Sequence, residues 1–576
     1  MKNTQYSAWN PGIESDIPAA YRELETIYRP ENVTSRIDEI DEFATTTGLK
    51  HDELVVFRPM RLALHELIVR VNADIVVREG EQEEDLGINF RTITDHIFRK
   101  YLVPIQSEIE QAHEALNQRV HDLLEAEFSR SLFPPAAPQV NSKLPFLSRF
   151  FGTPKKPSEP VEGTQERQFR IINSFKEQGL STSDELGSAL YRGLYRVLGS
   201  IIATRGHLGH DQAQLIDLTS RHICSRHGSR MIGKQVDTCV RQAIEAEGYD
   251  LIPDAQKPML ISLKGTSAAG KSSLRPRLQK MIRELGIEAD GYGTISPDIW
   301  RRLLLDYDSL GEAYKYAGRL TSNEMNIVDR KLDQYIRGKA NFRKSTPHLV
   351  VDRFRFDSFE SEKISRILHK TYAKYTDTMY MYFIVTPPEA TVERGWERGL
   401  VRGRYKSVED FLGHCVEAYA GMPKLLFKWL SSPRPKFIFE FLDNSVPEGN
   451  YPRTMASGTQ GSLDIYDPIA FIDIERYQKI NVMAHSPDTI YPQQSVLEVG
   501  KNIDFFRLCI RKIERIRFID RKTEKEYLSV HNGIFKLVDT GIFERKIKNA
   551  DLASIFSQLA PGIFPVDAAP LLEIKA

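Results

Sequence analysis

The chain has 576 residues, 41% hydrophobic and 27% charged, the make-up of a folded globular protein of roughly two to four domains and not of a disordered or fibrous one. Its 78 basic and 78 acidic residues cancel, so there is no global attraction to nucleic acid or to an anionic membrane. Cys224, Cys239, Cys415 and Cys509 are scattered without a C-x-x-C pair, which excludes a disulfide framework or zinc ribbon and fits a reducing compartment.

The N-terminus lacks the apolar core of a signal peptide, and no apolar run is long enough to span a membrane. A cytoplasmic protein is expected, or a bacterial effector exported without a signal peptide. Residues 1–132 read as a helical domain. Leu62–Val69 and Ile105–Phe128 mix apolar positions at three- and four-residue spacing with charges, the pattern of core-facing helices. No catalytic pattern occurs there, so docking of a protein partner is its expected role.

Residues 133–167 read as a Pro-rich linker, with Pro134, Pro135, Pro138, Pro145, Pro154, Pro157 and Pro160 blocking helix continuation. Within it, Phe146, Phe150 and Phe151 stand beside Arg149, Lys155 and Lys156. That cluster suits a membrane surface or a partner groove, or simply packs its rings on the protein. Residues 168–250 read as helical again, with Leu190–Ile202 as a buried helix. His207, His210, His222, Cys224 and His227 follow no common zinc spacing and read as polar surface or capping residues.

Residues 251–450 carry the chemistry. Met259–Lys264 is a short apolar strand, and after it comes Gly265-Thr266-Ser267-Ala268-Ala269-Gly270-Lys271-Ser272-Ser273, which fits G-x-x-x-x-G-K-[ST] at every fixed position. Leu274, Leu278, Met281, Ile282 and Leu285 then recur at helical spacing, and Gly286 ends the helix. Pro276, read in the second turn, predicts a kink. Glycines let the backbone approach phosphate, and loop amides and the helix N-terminus face the anion. Lys271 is expected to neutralise the β- and γ-phosphates of ATP or GTP, and Ser272 to ligate Mg²⁺.

In Gly293-Thr-Ile-Ser296-Pro297-Asp298, Ser296 reads as an N-cap and Pro297 as the first helical residue. Asp298 then falls at the carboxyl edge of a sheet, where it either takes the proton of an attacking hydroxyl or complements the helix dipole. Pro347–Asp352 is a buried-strand pattern ending in an acid. Asp352 is a candidate Mg²⁺ ligand or acceptor contact, and Arg353, Arg355 and Asp357 add charge beside it. After the strand Thr378–Val385, Arg394, Arg398 and Arg402 recur every four residues on one helical face, next to Arg404. They read as a phosphate-covering lid or as a solvated basic face, and the interleaved Gly395, Gly399 and Gly403 predict a weak, hinge-like helix. Residues 451–576 read as a small α+β appendage. It has a helix near Ile503–Ile516 and strands at Arg517–Asp520, Glu526–Val530 and Gly533–Val538, the last two joined by Asn532-Gly533.

The fold class expected is therefore an α/β P-loop NTPase core, a parallel sheet flanked by helices, between a long helical N-terminal region and that appendage. Its motif order is P-loop, Ser-Pro-Asp helix start, Leu320-Thr-Ser-Asn-Glu324-Met325, Leu-Val-Val-Asp, Met-Tyr-Phe-Ile-Val and an arginine-bearing lid. This order resembles the zeta-toxin family of P-loop kinases over about a third of the chain. The resemblance implies phosphorylation of a sugar hydroxyl of UDP-N-acetylglucosamine or a similar molecule. It implies Asp298 as base, Lys271 and Ser272 at the nucleotide, Glu324 touching substrate, and two of Arg394, Arg398, Arg402 and Arg404 as lid arginines. Asp352-Arg353 departs from the family's Glu-Gly-Thr, at a place where substrate contact is expected. The function expected is an ATP- and Mg²⁺-dependent kinase acting on a small-molecule hydroxyl. The alternatives are a nucleotide-gated interaction module and, third, a polynucleotide 5′-hydroxyl kinase, which the absence of net positive charge disfavours.

Overall fold

The computed structural model describes residues 6–80, 84–133, 163–353, 374–447, 449–563 and 574–575. The Phe-basic cluster at Leu144–Lys156, every linker proline named above, Arg355 and Asp357 lie outside the described residues. The chain forms two compact units that do not follow chain order. One comprises Met1–Arg22, Ile68–Asp95 and Ile244–Ala576, and the other Glu23–Leu67 and His96–Ala243. A stretch read as part of the N-terminal helical domain thus belongs to the P-loop unit.

The second unit is helical. Its helix Glu185–Arg205 buries Leu186, Leu190, Leu194, Val197, Leu198 and Ile201 along one stripe and stops at Gly206, whose φ of 80° only glycine adopts readily. His222 and Cys224 lie inside this unit and not at its surface. Burial pushes the His222 imidazole down to about 4 and the Cys224 thiol up to about 12, so both are neutral near pH 7. Among the described residues, the exposed His121, Asp122 and Glu125 are the one group of three histidine, cysteine or carboxylate side chains close enough together to hold a metal ion.

Among the described residues, the P-loop unit is built on one mixed sheet of 11 strands. Strands β1 (Met259–Gly265), β2 (Tyr292–Ile295), β3 (His348–Asp352), β4 (Thr378–Val385) and β5 (Lys436–Asp443) pair in parallel, in the order 2-3-1-4-5. Every residue of β1 is buried, which suits a central strand covered on both faces. The chain leaves β1 between β3 and β4, where the winding reverses and open α/β sheets bind ligands at their carboxyl edge.

The residues after 450 extend this sheet. Strands β6 (Arg453–Thr459) and β7 (Ser462–Ile465) continue antiparallel from β5, and β8 (Arg515–Asp520) pairs in parallel with β7. β9 (Lys525–His531), β10 (Ile534–Leu537) and β11 (Ile574–Lys575) complete it antiparallel. Phe383 stacks on Phe441 at 4.5 Å, and Phe441, Phe471, Phe505, Phe506 and Phe518 form a chain of ring contacts across the junction. The expected appendage is part of the P-loop unit because its edge strand pairs with β5 and its rings share one apolar layer. Among the described residues no helix is long and apolar enough to cross a membrane.

Candidate active site

The loop after β1 curls as its glycines allow. Ala268 has φ of 59° and Gly270 φ of 81°. A Cβ on Gly270 would lie 2.6 Å from Nδ2 of Asn444, which itself donates to the carbonyl of Ala269 at 2.8 Å. Lys271 folds back over the loop, its Nζ donating to the carbonyls of Gly265 (3.2 Å) and Thr266 (3.0 Å). Ser272–Leu274 form a 3-10 turn and the α-helix proper runs Arg275–Glu284. Pro276 therefore sits in the first α-turn, where its missing N–H has no intrahelical partner to lose, and the expected kink has no cause.

Asp298 occupies the short 3-10 helix Pro297–Trp300, which follows the exit of β2 with Ser296 as N-cap. Its Oδ1 accepts from Arg301 Nε at 3.0 Å and its Oδ2 faces Arg404 Nη2 at 2.9 Å. Burial raises the carboxyl's pKa, but the Arg404 and Arg301 guanidinium charges outweigh it and hold the group well below the usual carboxylate range. Lys271 is pushed down by burial. Asp352 and Asp298 pull it back, while Arg398 and Arg404 lower it further. Residues from separate segments thus share one field around the loop. Two residues that the motifs did not single out join them. Lys406 Nζ lies 3.2 Å from His414 Nδ1, and burial together with Arg398 and Arg404 lowers the lysine well below its ordinary value.

The four lid arginines separate. Arg394 donates to the main-chain carbonyls of Asn444 (3.1 Å) and Val446 (2.7 Å), bracing the loop that holds Gly270. Arg402 pairs with Glu84 at 2.8 Å. Only Arg398 and Arg404 act on both Lys271 and Asp298. The helix Pro388–Arg402 is continuous to Gly403 (φ 66°). Its glycines make room for rings: a Cβ on Gly395 would lie 2.1 Å from Phe411, and one on Gly399 2.6 Å from Tyr405. Close packing, not hinge weakness, accounts for them.

Asp352 ends β3 in register with Leu263, and its side chain is 3.9 Å from Arg275, whose other nitrogen is 3.5 Å from Glu79. Arg353 is committed elsewhere, to Asp329 at 2.8 Å and Asp333 at 2.5 Å, both buried in the helix Ser322–Arg343. Glu324, in the first turn of that helix, is fully buried. Ser272 opens the 3-10 turn after the loop and Asp352 ends the strand beside β1; a hydroxyl and a carboxylate offer the hard oxygen atoms that Mg²⁺ takes as ligands. The signal for Lys406 and His414 was absent from the sequence because a lone Lys and a His eight residues on match no motif.

No family model matches the chain, and no curated protein matches it. Among solved structures it is similar to the complex of AvrRxo1-ORF1 with AvrRxo1-ORF2, at 13% identity and a TM-score of 0.26, covering 40% of this chain and 66% of that one. It is also similar to the PezAT chromosomal toxin–antitoxin system of Streptococcus pneumoniae, at 15% identity and a TM-score of 0.26, covering 38% of this chain and 78% of that one. Likenesses of this size bear on neither activity nor substrate.

Proposed function

We propose that the chain is an ATP- and Mg²⁺-dependent phosphotransferase that phosphorylates a hydroxyl of a small molecule. The observation that carries this is the common field of Lys271, Asp298, Arg398 and Arg404 beside a loop with positive φ at Ala268 and Gly270. A loop of this shape cradles a polyphosphate through its amides, and Lys271 exchanges its loop carbonyls for phosphate oxygens. Ser272 and Asp352 would hold Mg²⁺, which neutralises charge on the bound phosphates. The acceptor oxygen attacks the γ-phosphorus, the bond to the β,γ-bridging oxygen breaks, and the nucleoside diphosphate leaves.

Asp298 orients the acceptor hydroxyl and receives its proton. A carboxylate held so far below its ordinary pKa is a weak base. That suits a loose phosphoryl-transfer transition state, in which the proton leaves late and orientation contributes most. Arg398 and Arg404 stabilise charge on the transferring group. The acceptor class suggested by the zeta-toxin resemblance is a nucleotide sugar such as UDP-N-acetylglucosamine. The test is incubation of the purified chain with ATP, Mg²⁺ and either that sugar or a metabolite extract. A product heavier by one phosphoryl group, lost in Lys271→Ala, is expected. ATP turnover that responds to an added protein but to no acceptor would refute it in favour of a nucleotide-gated switch.

A further inference from the structure

Arg404, which meets Asp298 at 2.9 Å, stands on a stretch that no helix or strand holds. Residues 404–407 run in irregular backbone between the helix Pro388–Arg402 and the helix Val408–Leu430. A long side chain on irregular backbone has much freedom to lose, so a fixed guanidinium there needs fastening from outside. Two fasteners come from residues 6–21, which belong to the same compact unit.

The first runs through Lys315. Its Nζ donates to the carbonyl of Pro11 at 3.0 Å and lies 3.6 Å from the centroid of the Tyr6 ring. The same ammonium is 5.8 Å from the ring centroid of Tyr405, the residue next to Arg404. Tyr405 in turn packs against Trp396, ring centroids 5.5 Å apart, and against Gly399. One cation thus ties residues 6–11 to the neighbour of Arg404.

The second fastener is Ser15. Its hydroxyl donates to Oε2 of Glu409 at 2.8 Å, so in the 3.0 Å contact with Ser407 the Ser407 hydroxyl donates. Ser407, 4% exposed, is the N-cap of the helix Val408–Leu430, and its Oγ also accepts from the amide of Asp410 at 3.1 Å. Asp410, Ser407, Ser15 and Glu409 therefore form one continuous run of hydrogen bonds. The rest of the segment is shaped to deliver these groups. Ser7 and Asn10 close a turn with backbone hydrogen bonds of 3.0 and 3.1 Å, and Gly12 takes φ of 69°. The amide of Glu14 donates to the Tyr316 hydroxyl at 3.4 Å, and the Tyr21 ring lies 5.7 Å from that of Tyr316.

We propose that residues 6–21 are a clasp that positions Arg404 for phosphoryl transfer, with Lys315 and Ser15 as positioning residues that act through it. The inference rests on the phosphotransferase reading and gives this segment a part in its catalysis. Clasped, the guanidinium stays on Asp298 and within the field of Lys271. Released, residues 404–407 lose that position, and the charge that stabilises the transferring group goes with them.

The test uses the full chain and the double variant Ser15→Ala with Lys315→Met, which opens both fasteners. Hydrogen exchange at the amides of residues 404–407 is expected to quicken about tenfold or more, while the amides of β1 keep their rates. The kcat for transfer is expected to fall about tenfold, with each single variant costing less and Lys315→Arg retaining most of the activity. Affinity for ADP is expected to stay within about twofold of wild type. In an Arg404→Ala background the double variant is expected to cost less than about twofold, because a clasp acting through Arg404 has nothing left to position. Unchanged exchange overturns the clasp whatever the enzyme does. Faster exchange with unchanged kcat overturns the catalytic role, as does an equal further loss in the Arg404→Ala background, which marks a merely structural contact. A rise in kcat overturns it in favour of a segment that blocks the site. Absence of transfer by the wild-type chain refutes the phosphotransferase reading and the positioning role with it, whereas the exchange readout still decides whether residues 6–21 hold the stretch.

Discussion

Replacing Asp298 by Ala separates chemistry from stability in this protein. The substitution deletes a carboxylate that is 41% exposed and leaves Arg301 (12% exposed) and Arg404 (26%) without their shared anion. Because the carboxylate is well over a third exposed, each pair contributes at the level of a solvent-screened salt bridge, and the two together about 1–2 kcal/mol. For a unit of this size that corresponds to a fall of about 2–8 °C in melting temperature. Loss of the group that orients the acceptor and receives its proton costs about 10²–10⁴ in transfer rate, or about 3–5 kcal/mol of barrier. Nucleotide binding is expected to survive, since Lys271 and the loop backbone lie on other residues. The assays are ATP-dependent transfer at saturating nucleotide, nucleotide affinity, and thermal melting of the same preparation. A variant that transfers at the wild-type rate, or that loses transfer only in proportion to unfolded protein, refutes the role given to Asp298.

The lid arginines give a paired comparison. Arg404→Ala is expected to lower kcat by about 10³-fold or more, and Arg402→Ala, which removes the pair with Glu84, to leave it within a few-fold, read in one transfer assay. Gly270→Ala meets Asn444 at 2.6 Å in a left-handed backbone, so nucleotide affinity falls and stability drops by about 1–3 kcal/mol, measured by nucleotide titration and chemical unfolding. Arg353→Ala leaves Asp329 and Asp333 buried without their shared cation and costs about 3–5 kcal/mol, seen as a fall in melting temperature. An unchanged melt would show that Arg353 is not the structural partner described. Asp473 is raised to about 6 by burial, which outweighs the pull of Arg476. With the folded pKa above the unfolded one, this group favours folding at low pH, and its contribution is lost as pH rises from about 4 to 6. Urea titrations are expected to show wild type losing up to about 3 kcal/mol relative to Asp473→Asn across that window.

Much of the site was legible because it is local. The P-loop is built from consecutive residues, and glycine, lysine and serine at fixed spacing specify its backbone and charges without reference to the rest of the chain. Asp298 was legible for the same reason, since Ser-Pro-Asp after a strand sets a helix start at the sheet edge. Helical periodicity grouped Arg394, Arg398 and Arg402, but the helix ends at Gly403, whose φ of 66° turns the chain out of that register. Arg404 reaches Asp298 from beyond the helix, while Arg402 meets Glu84.

The strands β1, β3 and β4, the glycine-rich loop and Asp298 at the start of a helix could be read from local pattern, because apolar runs, turn residues and motif spacing act over a few neighbouring residues. It took the packed fold to show that residues 68–95 join the P-loop unit, that β6 to β11 extend one sheet, and that Arg353 is spent on Asp329 and Asp333. That fold also brought Tyr6 and Tyr405 to Lys315. Such pairings skip past nearer neighbours in the chain, and an arginine in sequence carries no mark of which carboxylate, ring or phosphate it will meet.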